Sequence, residues 1–150
     1  MGIKLIHNGI NGFQKEFIRR LDQAILLKLH ELGERLVTYA KDNHTYTDQT
    51  GNLTNSIGYA ILRGKDMVSY SGTVNSEPTE KMLQAAKKIA DGDNSTYTLI
   101  IVAGMNYAAY VEAKGYNVIL PAKLKAKKDF PYEMGKIIKQ VNSKFDKSWI

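Results

Sequence analysis

Apolar residues recur with the spacing of a helix in the first third of the chain and with the spacing of strands in the middle. From Asn11 onward, Phe13, Phe17, Leu21, Ile25, Leu29, Leu32, Leu36 and Ala40 keep to one face of a 3.6-residue period. Asn11, with Gln14 three residues later, reads as a capping-box-like start, so the pattern predicts a helix from Asn11 to about Asp42. Such a helix of roughly 32 residues would be ~48 Å long at ~1.5 Å per residue. A compact sphere of this chain length is only ~38 Å across, so the helix must bend or project. Gly33 is the weak helix former placed for a bend. The stretch Ala24-Ile25-Leu26-Leu27-Lys28-Leu29 is apolar on more than one side and asks for a second covering surface. Either another subunit covers Ile25, Leu26, Leu27 and Leu29, or another element of the same chain does, for example the C-terminal helix.

Polar residues Asn43-His44-Thr45-Tyr46 stop this helix, and Thr50 is placed to cap a short helical turn that points Leu53 inward. Two β-like runs follow, Ile57 to Leu62 and Met67 to Ser71; the break between them contains Gly64 and reads as a hairpin. Pro78 suits a first helical turn, and Met82, Ala85, Ala86, Ile89 and Ala90 form the stripe of an inserted helix. Tyr97 to Ala103 is the most apolar and β-branched run and is therefore expected as the central strand. A short helix or turn over Tyr107 to Ala113 comes next, then a strand at Val118-Ile119-Leu120 stopped by Pro121. Asp129 then caps a last helix with Phe130, Met134, Ile137, Ile138, Val141 and Phe145 on one side. The expected class is α+β: a long N-terminal helix and a C-terminal helix packed on a small, mainly antiparallel sheet, with an inserted short helix, as one domain over residues 1–150.

Charge changes this picture only at its end. Residues 1–113 carry twelve Lys or Arg against twelve Asp or Glu, whereas residues 114–150 carry nine Lys against three acids, so the net +6 lies in the last quarter. The excess is all Lys, which gives a diffuse basic face without the planar fork that Arg brings to bases and phosphates. It reads as a solvated lysine surface, or as a contact for DNA or an acidic protein. Without Cys there is no disulfide, thiolate nucleophile or thiolate metal site. No window approaches the roughly 20 apolar residues of a membrane span, and the first residues are too short an apolar run for a signal peptide. The expectation is a soluble protein made in the cytoplasm.

Candidate chemistry is sparse. His30 and Glu34 share a helix face, but two ligands make an incomplete metal site. His44 and Asp48 lie in a hydroxyl-rich loop, where turns and caps are commoner than catalysis. Phosphate-loop, dinucleotide and nucleophile-elbow motifs do not occur. The nine tyrosines suit half-buried strand packing or an aromatic interface. No catalytic residue, cofactor site or metal site is assigned.

Two stretches carry a family resemblance. Thr50-Gly51-Asn52-Leu53-Thr54-Asn55-Ser56-Ile57 resembles the Thr-Gly-x-Leu-x-x-Ser-Ile signature of the tail-completion, or head-tail joining (neck), proteins of long-tailed bacteriophages. Asn106-Tyr107-Ala108-Ala109-Tyr110-Val111-Glu112 resembles that family's second signature, a Tyr-Ala pair and a Val-Glu behind a strong strand. The order of elements also fits, from about Phe13 to Val141. The sequence departs after Glu112, where Ala113-Lys114-Gly115 intervenes and only Leu120-Pro121-Ala122 remains of the family's Pro-rich segment. The resemblance implies an oligomeric ring, six copies, contacting the tail tube or terminator protein and the head connector, with DNA as a neighbour. It implies no catalysis, no membrane and no cofactor, and a place in the virion at the head-tail interface after assembly in the host cytoplasm. The motif residues it marks are Thr50, Gly51, Leu53, Ser56, Ile57, Tyr107, Ala108, Val111 and Glu112.

Overall fold

The computed structural model describes residues 2–48, 50–105 and 108–148. In chain order the elements are α1 (Gly2–Asp42), α2 (Asn52–Asn55), β1 (Ile57–Arg63), β2 (Asp66–Tyr70), α3 (Glu77–Asp91), β3 (Tyr97–Ala103), α4 (Ala108–Ala113) and α5 (Leu120–Ser148). The three strands form one antiparallel sheet in the order β2-β1-β3. Helices α1 and α5 cover one face and α3 the other, so the fold is α+β with a short helix inserted between strands.

β1, and not the more apolar β3, is the central strand. Its first six residues are all buried, whereas β3 is only half-buried at most positions. The physical reason lies in side-chain size. Gly58, Ala60 and Leu62 meet α3 on one face, and Ile57, Tyr59 and Ile61 meet α1 on the other, so small residues let a helix sit close while large ones fill the wider side. The hairpin is tight: Arg63 pairs with Asp66 across Gly64-Lys65, and Gly64 takes a φ of 62°. Val68 is the extra residue of a bulge in β2, because Ile61 pairs with Ser69 and Leu62 with Met67. From the turn, Lys65 Nζ donates to the Ala90, Asp91 and Asp93 carbonyls and so caps the end of α3.

α1 already begins at Gly2, so Asn11 lies inside a helix and does not start one. At ~1.5 Å per residue its 41 residues span ~61 Å. Leu29, Leu32, Leu36, Val37 and Ala40 are buried on the sheet, while Gln14, Lys15, Glu16, Ile18, Arg19 and Arg20 stand exposed. The sheet edge is fastened to the middle of this helix through Asp22, which accepts two hydrogen bonds from Arg63, at 3.0 and 2.6 Å, and one from Tyr97 at 2.7 Å.

The C-terminal region differs from expectation. Val118-Ile119-Leu120 is not a strand: Val118 is buried in the core and Leu120 opens α5, with Pro121 tolerated in the first turn. Asp129 is not a cap but lies within this helix and pairs with Lys125 at 3.0 Å, one turn away. The helix runs on through Pro131, which is exposed, so the missing N–H falls on the solvent side where water can serve the freed carbonyl. α5 is held to α1 by Glu133, only 7% exposed, which meets Lys28 at 3.2 Å and Arg35 at 3.4 Å. The Lys28 ammonium holds the Glu133 carboxyl below the ordinary glutamate value against the opposing effect of burial. Ile89 and Ile138, expected on apolar stripes, are 50% and 59% exposed. The side chains of Val141 and Phe145 lie outside the described residues.

Candidate functional site

The two resemblance-bearing stretches, some fifty residues apart, meet in one joint. Ser56 is fully buried; its hydroxyl donates to the Leu53 carbonyl at 2.7 Å and accepts from the Met105 N–H at 3.3 Å. The Ser56 carbonyl also accepts from the Gly104 N–H at 3.1 Å. Leu53 and Ile57 from the first stretch and Ala108 from the second share a core with Val118 and Ala122, and Val111 packs against it. Glu112 closes the joint: its Oε1 accepts from the N–H groups of Val118, Ile119 and Leu120, at 3.3, 3.1 and 2.6 Å. These are donors at the mouth of α5, so the carboxylate both caps that helix and lies at the positive end of its dipole. Tyr107 and the side chain of Tyr110 lie outside the described residues.

The first stretch is capped differently from expectation. Gly51, at φ 75°, occupies the N-cap position of α2; Thr50 Oγ1 accepts from the Asn52 N–H at 3.2 Å. The stronger cap is Asp48, whose carboxylate accepts from the Thr54 N–H at 2.7 Å. Burial pushes the Asp48 carboxyl up, but bonds from the Thr54 backbone and hydroxyl and from the Leu53 and Gly51 N–H groups outweigh it and hold the group below its ordinary value. Asp48 is thus a structural cap. His44 is exposed, and its ring lies on the Tyr46 ring with centroids 4.6 Å apart.

His30 and Glu34 come together on a third residue that periodicity did not connect to them. The Tyr59 ring is 1% exposed, and its hydroxyl lies 2.8 Å from both His30 Nδ1 and Glu34 Oε1. A hydroxyl has one proton; with that proton donated to the carboxylate, His30 must donate from Nδ1. Gly33 sits between these residues against the ring: an added Cβ would lie 2.6 Å from Tyr59 Cγ. Gly33 therefore serves close approach to an aromatic ring. The signal for it was a glycine flanked within one helical turn by His30 and Glu34. Among the described residues, no three His, Asp or Glu side chains gather as a metal site, and no helix is long and apolar enough to cross a membrane.

The expected subunit face on α1 is largely used within the chain. Leu29 is 2% exposed and Ile25 and Leu26 pack half-buried against the core, because Tyr97, Leu99, Ile101, Ala126 and Met134 converge on it from the sheet and α5. Leu27, 62% exposed, is what remains of that face. Scans of protein-family models, of curated proteins and of solved structures each return no match to this chain.

A different exposed feature lies where the end of α1 meets the start of α5. Tyr39, Asn117, Leu120, Pro121, Leu124, Lys125 and Lys128 line an open groove of about 480 Å³. Leu120 and Leu124 are 45% and 58% exposed, and Lys125 Nζ lies 5.3 Å from the centre of the Tyr39 ring. The signal for it was the i, i+4 spacing of the two leucines, hidden by the expectation of a strand ending at Pro121.

Proposed function

We propose that the chain is a structural protein of a long-tailed bacteriophage, joining tail to head in a ring of copies at the neck of the virion after assembly in the host cytoplasm. Its work is protein-protein contact without catalysis, with the tail tube or terminator protein on one side and the head connector on the other. The observation that carries this reading is the joint itself. The two stretches that resemble the tail-completion signatures share one core, and the Ser56 hydroxyl and carbonyl and Glu112 Oε1 are engaged in fixing backbone. A motif used in this way sets the geometry of a scaffold. The test is reconstitution: tails assembled without the chain should fail to join DNA-filled heads, and added protein should restore joining. Normal joining in its absence would overturn the reading.

A second reading, a small nucleic-acid-binding protein, is favoured by one observation: Lys123, Lys127, Lys128, Lys136 and Lys139 are exposed along α5. It predicts duplex binding that weakens steeply with salt and with alanine at Lys123, Lys125, Lys127 and Lys128. Lys125 should matter least of the four, since Asp129 already neutralises it. Absence of binding at low salt would remove this reading.

A further inference from the structure

We infer that the groove between α1 and α5 receives the loop around Val74 of a second copy of this chain, in a head-to-tail contact. The two surfaces match in chemistry and lie on opposite faces of the sheet. The groove is apolar at Tyr39, Leu120 and Leu124, with its positive charge at Lys128 and at Lys125, which shares its charge with Asp129. On the α3 side, Val74 is 66% exposed and Tyr70 40%. Glu77 and Glu80 follow in the next turn and are exposed, while Lys81 is half-buried.

The loop is presented in a fixed shape. The Ser76 N–H donates to the Thr73 carbonyl at 3.2 Å, and Ser76 Oγ caps α3 by accepting from the Thr79 N–H at 3.3 Å. An exposed valine followed by two carboxylates thus faces outward from one side of the molecule, and an apolar groove bearing the exposed Lys128 opens on the other. Because the two surfaces differ, the contact is heterologous: each copy offers a groove to one neighbour and a loop to the next, and the assembly closes as a ring or continues as a filament. A valine followed by carboxylates suits this groove better than nucleic acid does, since phosphates leave the exposed leucines without a partner. The inference rests on the assembly reading above and relocates the subunit contact from Leu27 to the groove.

The chain has no Cys, which permits a clean crosslinking test. Leu124→Cys and Val74→Cys, each alone, should give no disulfide dimer at high protein concentration, whereas their mixture should, and the double variant should give a ladder. Independently, sedimentation should show concentration-dependent association that Lys128→Glu or Glu77→Lys weakens several-fold and that the two together restore. A monomer at every concentration, a dimer from Leu124→Cys alone, or association indifferent to both charge reversals would overturn the inference. Protein that stays monomeric yet restores head-tail joining would overturn this contact alone; protein that associates as described but does not restore joining would overturn the assembly reading alone.

Discussion

One face of the sheet closes on α1 through a ring lying on a glycine, whereas the other closes on α3 through backbone lying on backbone. On the first, the atoms nearest an added Gly33 Cβ all belong to the Tyr59 ring, at 2.6 to 2.9 Å. On the second, a Cβ at Gly104 would meet the Met82 nitrogen at 2.2 Å and the Lys81 carbonyl carbon at 2.4 Å. A ring can tilt by a rotamer change, but a helix backbone moves only as a whole. The difference teaches that α3, which the sequence presents as inserted material, is docked with less tolerance than the long helix that looks like the framework. Gly104 also donates its N–H to Ser56, so the close approach of α3 and the joint between the two motifs depend on the same residue.

Alanine at Gly104 tests this most severely. It should destabilise the fold by about 3 kcal/mol, at the upper end of overpacking, with a matching fall in the denaturant midpoint. A cost below about 1 kcal/mol would mean that α3 slides readily and that the two faces do not differ. Gly33→Ala should cost less, about 1 to 2 kcal/mol, because the ring yields and alanine returns about 1 kcal/mol of helix propensity. Replacing Tyr59 by Ala in the same chain, which removes Cγ and both Cδ atoms, should remove most of the Gly33→Ala penalty, a non-additivity that no side-chain change on the α3 face should reproduce for Gly104→Ala.

Tyr59→Phe sharpens the comparison through pH. It should cost about 1 kcal/mol at neutral pH, since His30 and Glu34 are exposed enough to regain water. Burial, with the Glu34 carboxylate beside it, pushes the Tyr59 phenol well above its ordinary value of 10.0. The folded protein then keeps a proton that the unfolded chain loses, so the contribution is complete below about pH 10 and declines as pH rises beyond it. Tyr59→Phe should flatten that alkaline decline in part; Tyr97, whose phenol burial and Asp22 also push up, contributes to what is left.

Much of this arrangement was legible in the sequence because it follows local period and local turns. The stripe of α1, the Gly64 hairpin, the helix at Met82 and the short helix of the second motif all appear where spacing places them. What was not legible depends on partners distant in sequence. The central strand was misread because apolar density marks burial only when neighbours supply it; β1, with Gly58 and Ala60, is buried by two helices that approach closely. The Val118 strand was misread because Glu112, six residues earlier, takes the N–H groups that a ladder would need. Of the expected subunit face, Leu29 was lost to the core for a like reason: β3 and α5 arrive there from over sixty residues downstream.

The mildest test of the comparison is at acid pH, on the end of the α1 face where Asp48 holds α2. Its folded-state value lies below the ordinary one, so the unfolded chain takes up a proton first as pH falls. The stability this group contributes is therefore present above about pH 4 and is lost as pH drops through the depressed value. Asn can replace Asp as a cap, so Asp48→Asn should cost less than about 1 kcal/mol at neutral pH. It should shrink the difference between neutral and acid stability, leaving the parts due to the other carboxyls held below their ordinary values, among them Glu133 beside Lys28 and Asp93 beside Ser95. The contact of β1 and β3 with α3 is built of the apolar Ala60, Leu62, Met82, Ala86, Ala90, Ile100 and Val102. Hydrogen exchange should accordingly show α2 and its neighbours losing protection on acidification before the middle of α3 does. Equal loss on the two faces at one pH would mean that the sheet and both its helical layers open as a single unit, and that the contrast between a yielding and an unyielding contact does not extend to local stability.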